Sequence, residues 1–337
     1  MTTKRKSSRR GKSGAHNIRV TYSPRHGVHV EGSVLWLDGF PNQGLGFLSH
    51  AHIKPTRHAG KILTSHHTAI LTNLQGPNVL VSPFDRRFSV GQMDVELFPS
   101  GHVPGAASLL AQWDGQEVLY AGSVNPRGTI MAAEPCQTRT CDILILGSRY
   151  GHPRFSFPDP EEAAAQLLDL IHRTLDQGRI PILFFSEPLG KVQALAARLY
   201  AENVDVWVHR KIYEFSTKLG NLGWPTGHPR KFKPSSFHGG AILWLTGSRT
   251  TQSVTSIRHP VTILISGAAA DPAAFDWVDH RIVLSDHADF DSLVGYVEQV
   301  HAKTVWLLPG RPHGLAATLK QQGRRVSVLH PTQLALF

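Results

Sequence analysis

The feature that most narrows what this chain can become is a short junction. The apolar run Leu45-Gly46-Phe47-Leu48 gives way to Ser49-His50-Ala51-His52-Ile53-Lys54-Pro55-Thr56-Arg57-His58-Ala59-Gly60. Such a run reads as a buried strand, and the polar stretch behind it as a loop leaving the strand's end, a usual place for a metal site. The pair His50-x-His52 carries little weight alone, because 20 His in 337 residues give roughly one His-x-His by chance. Its weight comes from the company it keeps along the chain.

Other apolar segments end in comparable junctions. Val28 to Leu48 holds short strands broken at Gly32 and at residues 40–44; Lys61 to Thr64 reads as a strand and Ala69 to Leu74 as a short helix. Met93 to Phe98 alternates and runs into Gly101-His102-Val103-Pro104-Gly105-Ala106. Ser108 to Trp113 and Glu117 to Ala121, joined by Asp114-Gly115, read as a hairpin, and Asp142 to Leu146 as an apolar central strand running into Gly147-Ser148-Arg149-Tyr150-Gly151.

From residue 158 the pattern changes. Asp159-Pro160-Glu161-Glu162 is a helix start, with a capping Asp, Pro at the first position and acids in the first turn, and the helix runs to about Asp176. Strand Ile180–Phe185, a helix opening at Gly190-Lys191 and ending near Tyr200, and strand Val204–Val208 follow, an alternation that implies a small parallel sheet. Gly190 and Lys191 at a helix start offer free amides and a cation to a phosphate; a solvated helix end is the other reading. Residues 210–238 interleave cations with Tyr213, Phe215, Trp224, Phe232 and Phe237, which suits a single strand whose bases stack and equally suits core aromatics. Strands Ala241–Leu245 and Val261–Ser266 follow. Arg281 to Leu284 returns to the first unit, completed by helix Phe290–Val300, strand Thr304–Leu308, helix Leu315–Gln322 and strand Val326–Leu329.

Taken together, these motifs resemble one family over nearly the whole chain after the first twenty residues. Ser49 to Gly60 is similar to the S-H-x-H-x-D-H-x-x-G metal loop of the metallo-β-lactamase fold, Gly101 to Ala106 to its third motif, and Tyr120-Ala121-Gly122-Ser123 to its Y-x-G-D motif. Residues 142–151 resemble the L-I-L-E-S-T-Y-G segment of the β-CASP nucleases, and Leu284-Ser285-Asp286-His287-Ala288-Asp289 their S-x-H-A-D motif. Order and spacing fit the bacterial DNA-ligase-associated exonuclease branch, relatives of the messenger-RNA 3′-end processing nucleases. The resemblance implies an α/β protein, an αββα metallo-β-lactamase sandwich (residues 19–157 and 281–337) with an inserted β-CASP-like α/β domain (158–280). It implies a nucleic-acid substrate, DNA or RNA, and a DNA ligase or helicase as partner. It makes His287 the catalytic histidine, which protonates the leaving oxygen or steadies the phosphate. A turn that holds the two parts of the chain together is the structural alternative. Ser266-Gly267 is similar to the family's S-G-W-M segment without its Trp and Met, and Ser266 joins Gly190, Lys191 and Lys54 as the implied phosphate-contacting set.

The departures set the expected chemistry. The family's Asp-His pair for the second metal is Lys54-Pro55 here, its bridging Asp is Ser123, its Glu is Gly147, and its last His-Gly falls on Pro309-Gly310, with His313-Gly314 as a displaced substitute. Two close dications need anionic ligands, and a Lys54 ammonium about 4 Å from a dication, at an effective dielectric of about 20, opposes it by about 8 kcal/mol. Three imidazoles and an open position suit one tetrahedral Zn²⁺, so His50, His52 and His102 are expected to hold at most one. Retained histidines hydrogen-bonded in a dry pocket are the other reading. With the second site gone, the expectation is a degenerate exonuclease-like protein acting by nucleic-acid or partner binding; an active single-zinc hydrolase is the alternative.

Charge points the same way. Lys4, Arg5, Lys6, Arg9, Arg10, Lys12 and Arg19 supply seven of the formal +10, so residues 1–18 read as a disordered basic tail suited to salt-dependent attraction to phosphates, or as a solubility tail. Two cysteines, Cys136 and Cys141, are too few for a disulfide framework. No eighteen-residue apolar run or leading hydrophobic segment exists, and a cytoplasmic setting is expected.

Overall fold

The computed structural model describes residues 18–330 apart from 25, 57, 58, 132, 133 and 274. The tail residues Lys4, Arg5, Lys6, Arg9 and Arg10 lie outside the described residues.

The chain first lays down β1 (Val20–Ser23), β2 (Gly27–Val30), β3 (Leu35–Leu37), β4 (Leu45–Leu48), β5 (Lys61–Ser65), α1 (His66–Thr72) and β6 (Val79–Ser82). The six strands form one sheet in sequence order, antiparallel from β1 to β3 and parallel from β3 to β6. α1 starts three residues before the expected Ala69, because Ser65 caps it by accepting from Thr68 N. His66 and His67 in its first turn hide the helical period.

A second sheet opens with β7 (Arg87–Val90), β8 (Met93–Pro99), β9 (Ala107–Trp113) and β10 (Gln116–Gly122), all antiparallel, and turns parallel at β11 (Ile143–Leu146). The β9–β10 hairpin turns on Asp114 and Gly115, at φ +47° and +74°, the pair of left-handed residues that a two-residue turn demands. Val28, Leu37, Phe47 and Leu63 of the first sheet share one core with Val95, Leu109, Val118 and Ile145 of the second. The two sheets therefore lie face to face. The fully buried β4 and β11 are the strands whose ends carry the motifs.

A third unit follows: α2 (Pro160–Asp176), β12 (Ile180–Phe185), α3 (Lys191–Ala201), β13 (Val206–Val208), α4 (Arg210–Asn221), β14 (Arg230–Lys231), β15 (Ala241–Leu245), the single turn α5 (Gln252–Thr255), β16 (Pro260–Ile265) and β17 (His280–Ile282). Its six strands are parallel, in the order β14-β13-β15-β12-β16-β17. Leu183 and Phe185 face α2, α3 and α4, whereas Ile182 and Phe184 face Trp207, Trp244 and Phe232. Covered on both faces, β12 and β15 read as unbroken apolar runs. Arg281 pairs with Leu264 at the edge of this sheet, so the chain leaves it after Ile282.

The chain ends with α6 (Phe290–Gln299), β18 (Thr304–Leu307), α7 (Pro312–Gln321) and β19 (Arg325–Val328). β18 and β19 extend the second sheet beside β11, and α6 and α7 cover its outer face through Leu293, Tyr296, Leu315 and Leu319. The result is a mixed α/β fold. Ala51, Val103, Ala106 and Leu284 pack into the same core as α2, α3 and α4, which pins the loops after β4 and β8 against the third unit. Cys136 and Cys141 are free, and burial pushes both thiols up to about 12. Among the described residues no helix is long and apolar enough to cross a membrane.

Candidate metal centre

His50 and His52 leave the end of β4, and His102 the end of β8. The buried run of β4 forces Ser49 and His50 to the sheet's edge, where Asp38 organises them. Asp38 accepts from Ser49 N at 2.8 Å, Ser49 Oγ at 2.7 Å and Tyr120 OH at 2.7 Å. Burial pushes its carboxyl up against the pull of those donors. Because the Ser49 hydroxyl proton points to Asp38, its oxygen accepts from His50 Nδ1 at 2.7 Å, which leaves the Nε2 lone pair of His50 free.

The same logic assigns the other two rings. His102 Nδ1 lies 2.7 Å from the Asp286 carbonyl oxygen; a carbonyl only accepts, so Nδ1 carries the proton and Nε2 the lone pair. His52 Nε2 donates to the Leu189 carbonyl oxygen at 3.1 Å, so its lone pair is on Nδ1. One ligand nitrogen from each residue lies within 4.8 Å of the others, and the three rings stand nearly perpendicular, at 76° to 85°. His102 Nε2 is buried without a hydrogen-bond partner. Burial holds His50 down to about 4 and, with repulsion from His50, His52 to about 3. His102 is also driven well below its ordinary value by burial and then by His287. All three imidazoles are neutral at pH 7, the state that binds metal. An orphaned lone pair among neutral, mutually oriented imidazoles fits a metal ion.

The remaining residues of the site are placed as follows. His287 packs its ring 4.2 Å from that of His102, and its Nε2 accepts from Arg149 Nη1 at 3.4 Å. Lys54 is exposed on the wall of a cleft, where solvent screens its charge. Lys191 and Gly190 are buried, and the anion held at the start of α3 is the Asp286 carboxylate. That carboxylate accepts from Lys191 N at 3.1 Å and pairs with Lys191 Nζ at 3.2 Å. Gly190 sits at φ +114°, and a Cβ there would meet Asp286 Oδ2 at 2.5 Å. Ser266 is also buried, its hydroxyl accepting from Ala268 N at 3.1 Å. Of the implied phosphate-contacting set, Gly190, Lys191 and Ser266 are thus buried, and Lys54 is the exposed member.

A Cβ at Gly147 would meet the Gly122 carbonyl oxygen at 2.6 Å, so no side chain fits there with this backbone. His313 is exposed on α7 and stands outside the histidine cluster. The cleft, about 1120 Å³, is lined by His52, Lys54, Glu187, Arg210, Lys211 and Lys218 among others. Of the aromatics in 210–238, Phe215, Trp224, Phe232 and Phe237 pack against the cores, and Tyr213 is exposed.

No family model matches the chain. It is 30% identical over 305 residues to a probable DNA ligase of Opitutus terrae, covering 88% of this chain and 30% of that protein. An RNase J-like protein of Methanocaldococcus jannaschii is 29% identical over 115 residues, 33% of this chain and 27% of that one. The chain thus spans about a third or less of the length of these relatives. The chain belongs to the metallo-β-lactamase/β-CASP nuclease family. In fold, a protein of unknown function from Enterococcus faecalis V583 superposes with a TM-score of 0.55 at 16% identity, covering 86% of this chain and 79% of that one.

Two further residues of the site, Arg149 and Asp38, are brought out by the structure. Arg149 occupies the Thr of E-S-T-Y-G, a departure visible in the alignment of residues 147–151. Asp38, the anchor of Ser49, carries no motif that would have marked it.

Proposed function

We propose that this chain is a one-metal member of its family: an αββα metallo-β-lactamase sandwich with an inserted β-CASP-like domain that binds nucleic acid, holds at most one Zn²⁺ on His50, His52 and His102, and has lost two-metal hydrolysis. The observation that carries this is the composition of the cluster. Three lone pairs converge, and no carboxylate joins them among the described residues. When bound, zinc in such a site supplies Lewis acidity and makes a hydroxide nucleophile accessible near neutral pH. The chain's own part is to fix the three tautomers through Ser49, Leu189 and Asp286 and to keep the rings neutral. The third unit roofs the site, and cations on the cleft wall together with the basic tail attract phosphates. A ligase or helicase partner, in a cytoplasmic setting, is consistent with the ligase named among the relatives.

A second reading, a single-zinc phosphodiesterase with His287 as acid, is favoured by the close packing of the His287 ring, tilted by 35°, against His102. The two separate when labelled single-stranded and double-stranded DNA and RNA are incubated with Zn²⁺ beside a His50→Ala, His102→Ala variant. Salt-sensitive binding with no turnover supports the first reading. Cleavage that vanishes in the variant establishes the second, and absence of binding by the full chain defeats both.

A further inference from the structure

A phosphodiester approaching one zinc ion meets one dication where two-metal relatives present two. Something else must answer the charge on its non-bridging oxygens. The cations near the centre are mostly engaged. Lys191 is consumed by Asp286, Lys218 donates to the Leu71 carbonyl oxygen at 2.6 Å, Arg210 pairs with Glu214 at 2.6 Å, and Arg127 with Asp289 at 2.9 Å.

Arg149 is different. It is exposed, its Nη1 reaches His287 Nε2 at 3.4 Å, and the His287 ring in turn packs, tilted, against that of His102. Its charge is felt at His50 and His287, where it opposes protonation. Glu187 also senses it, yet no carboxylate lies within ion-pair distance of the guanidinium among the described residues. The backbone under it is fixed. Gly147 N donates to the Gly122 carbonyl at 2.8 Å, Ser148 Oγ to the Leu308 carbonyl at 2.5 Å, and the Ser148 carbonyl accepts from Arg311 N at 2.8 Å. A guanidinium with donors to spare, on a rigid strand end beside the histidine cluster, matches the forked geometry that holds two phosphate oxygens.

We propose that Arg149, steadied by His287, forms a phosphate-binding subsite that clamps the non-bridging oxygens of a single-stranded nucleic-acid phosphodiester next to the three-histidine centre. This rests on the nucleic-acid reading above, and the test keeps the two apart. Full-length, EDTA-treated protein is titrated with fluorescein-labelled dT12 and rU12, followed by anisotropy, for wild type, Arg149→Gln and Arg149→Lys. The subsite predicts about tenfold or greater weakening in Arg149→Gln, with a smaller loss in Arg149→Lys, which keeps the charge but not the fork. Thermal melting stays unchanged because the side chain is exposed, and zinc content of the reconstituted variant is equal or higher. Equal binding by wild type and Arg149→Gln overturns the subsite while leaving the nucleic-acid reading intact. No binding by wild type to either oligonucleotide overturns both. The two oligonucleotides also distinguish DNA from RNA as the source of the phosphodiester.

Discussion

Replacing Ser49 by Ala removes a single oxygen that joins His50, a candidate metal ligand, to the buried Asp38 anchor. Two bonds go: Ser49 Oγ to Asp38 Oδ2 at 2.7 Å, and His50 Nδ1 to Ser49 Oγ at 2.7 Å. Asp38 keeps Ser49 N and Tyr120 OH as donors, so it is weakened rather than stranded. His50 is 7% exposed, and its Nδ1 proton loses its acceptor; an unsatisfied buried donor costs about 1–3 kcal/mol. Among the described residues that is also the only hydrogen bond holding its tautomer, and loss of such an orienting partner lowers metal affinity by about 10–100-fold. The assay is competition for zinc against a chromophoric chelator, with thermal denaturation of the metal-free protein alongside. Ser49→Ala is expected to lose about one to two decades of zinc affinity and about 1–3 kcal/mol of metal-free stability. Wild-type zinc affinity in a folded Ser49→Ala protein refutes the orienting role.

Two further outcomes follow from the same geometry. In metal-free protein, His50 is held at about 4 from an ordinary 6.5, chiefly by burial. The unfolded chain then binds protons the folded one refuses, so stability is complete above about pH 6.5 and lost as pH falls toward 4, with His50 alone worth on the order of 3 kcal/mol; denaturant melts that are flat between pH 7 and 4.5 contradict this. Gly190→Ala places a Cβ 2.5 Å from Asp286 Oδ2 at a φ of +114°, and is expected to cost at least about 2 kcal/mol in denaturant unfolding, whereas Gly178→Ala, at φ +67° with open space around it, costs less.

Local signals made parts of this fold readable. α2 runs over the expected Pro160–Asp176 because Asp159 accepts from Glu161 N and Glu162 N and the acids sit in its first turn. α4 was hidden. Its buried residues Ile212, Ser216 and Leu219 keep helical spacing, but they lie among cations and aromatics that suggest a stacking platform. β1, β6 and β7 are short, sit at or beside sheet edges and bury few side chains, so neither period nor composition marks them. Of the site, the three histidines were legible through their motifs; their hydrogen-bond partners were not. Leu189 meets His52 across 137 positions and Asp286 meets His102 across 184, and both offer a backbone carbonyl, which has no sequence signature. The acid held by Lys191 was equally out of reach, since an amide at a helix N-terminus donates to a distant Asp as readily as to a ligand phosphate.

The most direct measurement is zinc per chain, by elemental analysis of tag-free protein saturated with Zn²⁺ and gel-filtered, with His102→Ala as companion. One ion per wild-type chain and none in the variant is the expected result. Two ions per wild-type chain, or none, contradicts a single-zinc centre built from His50, His52 and His102.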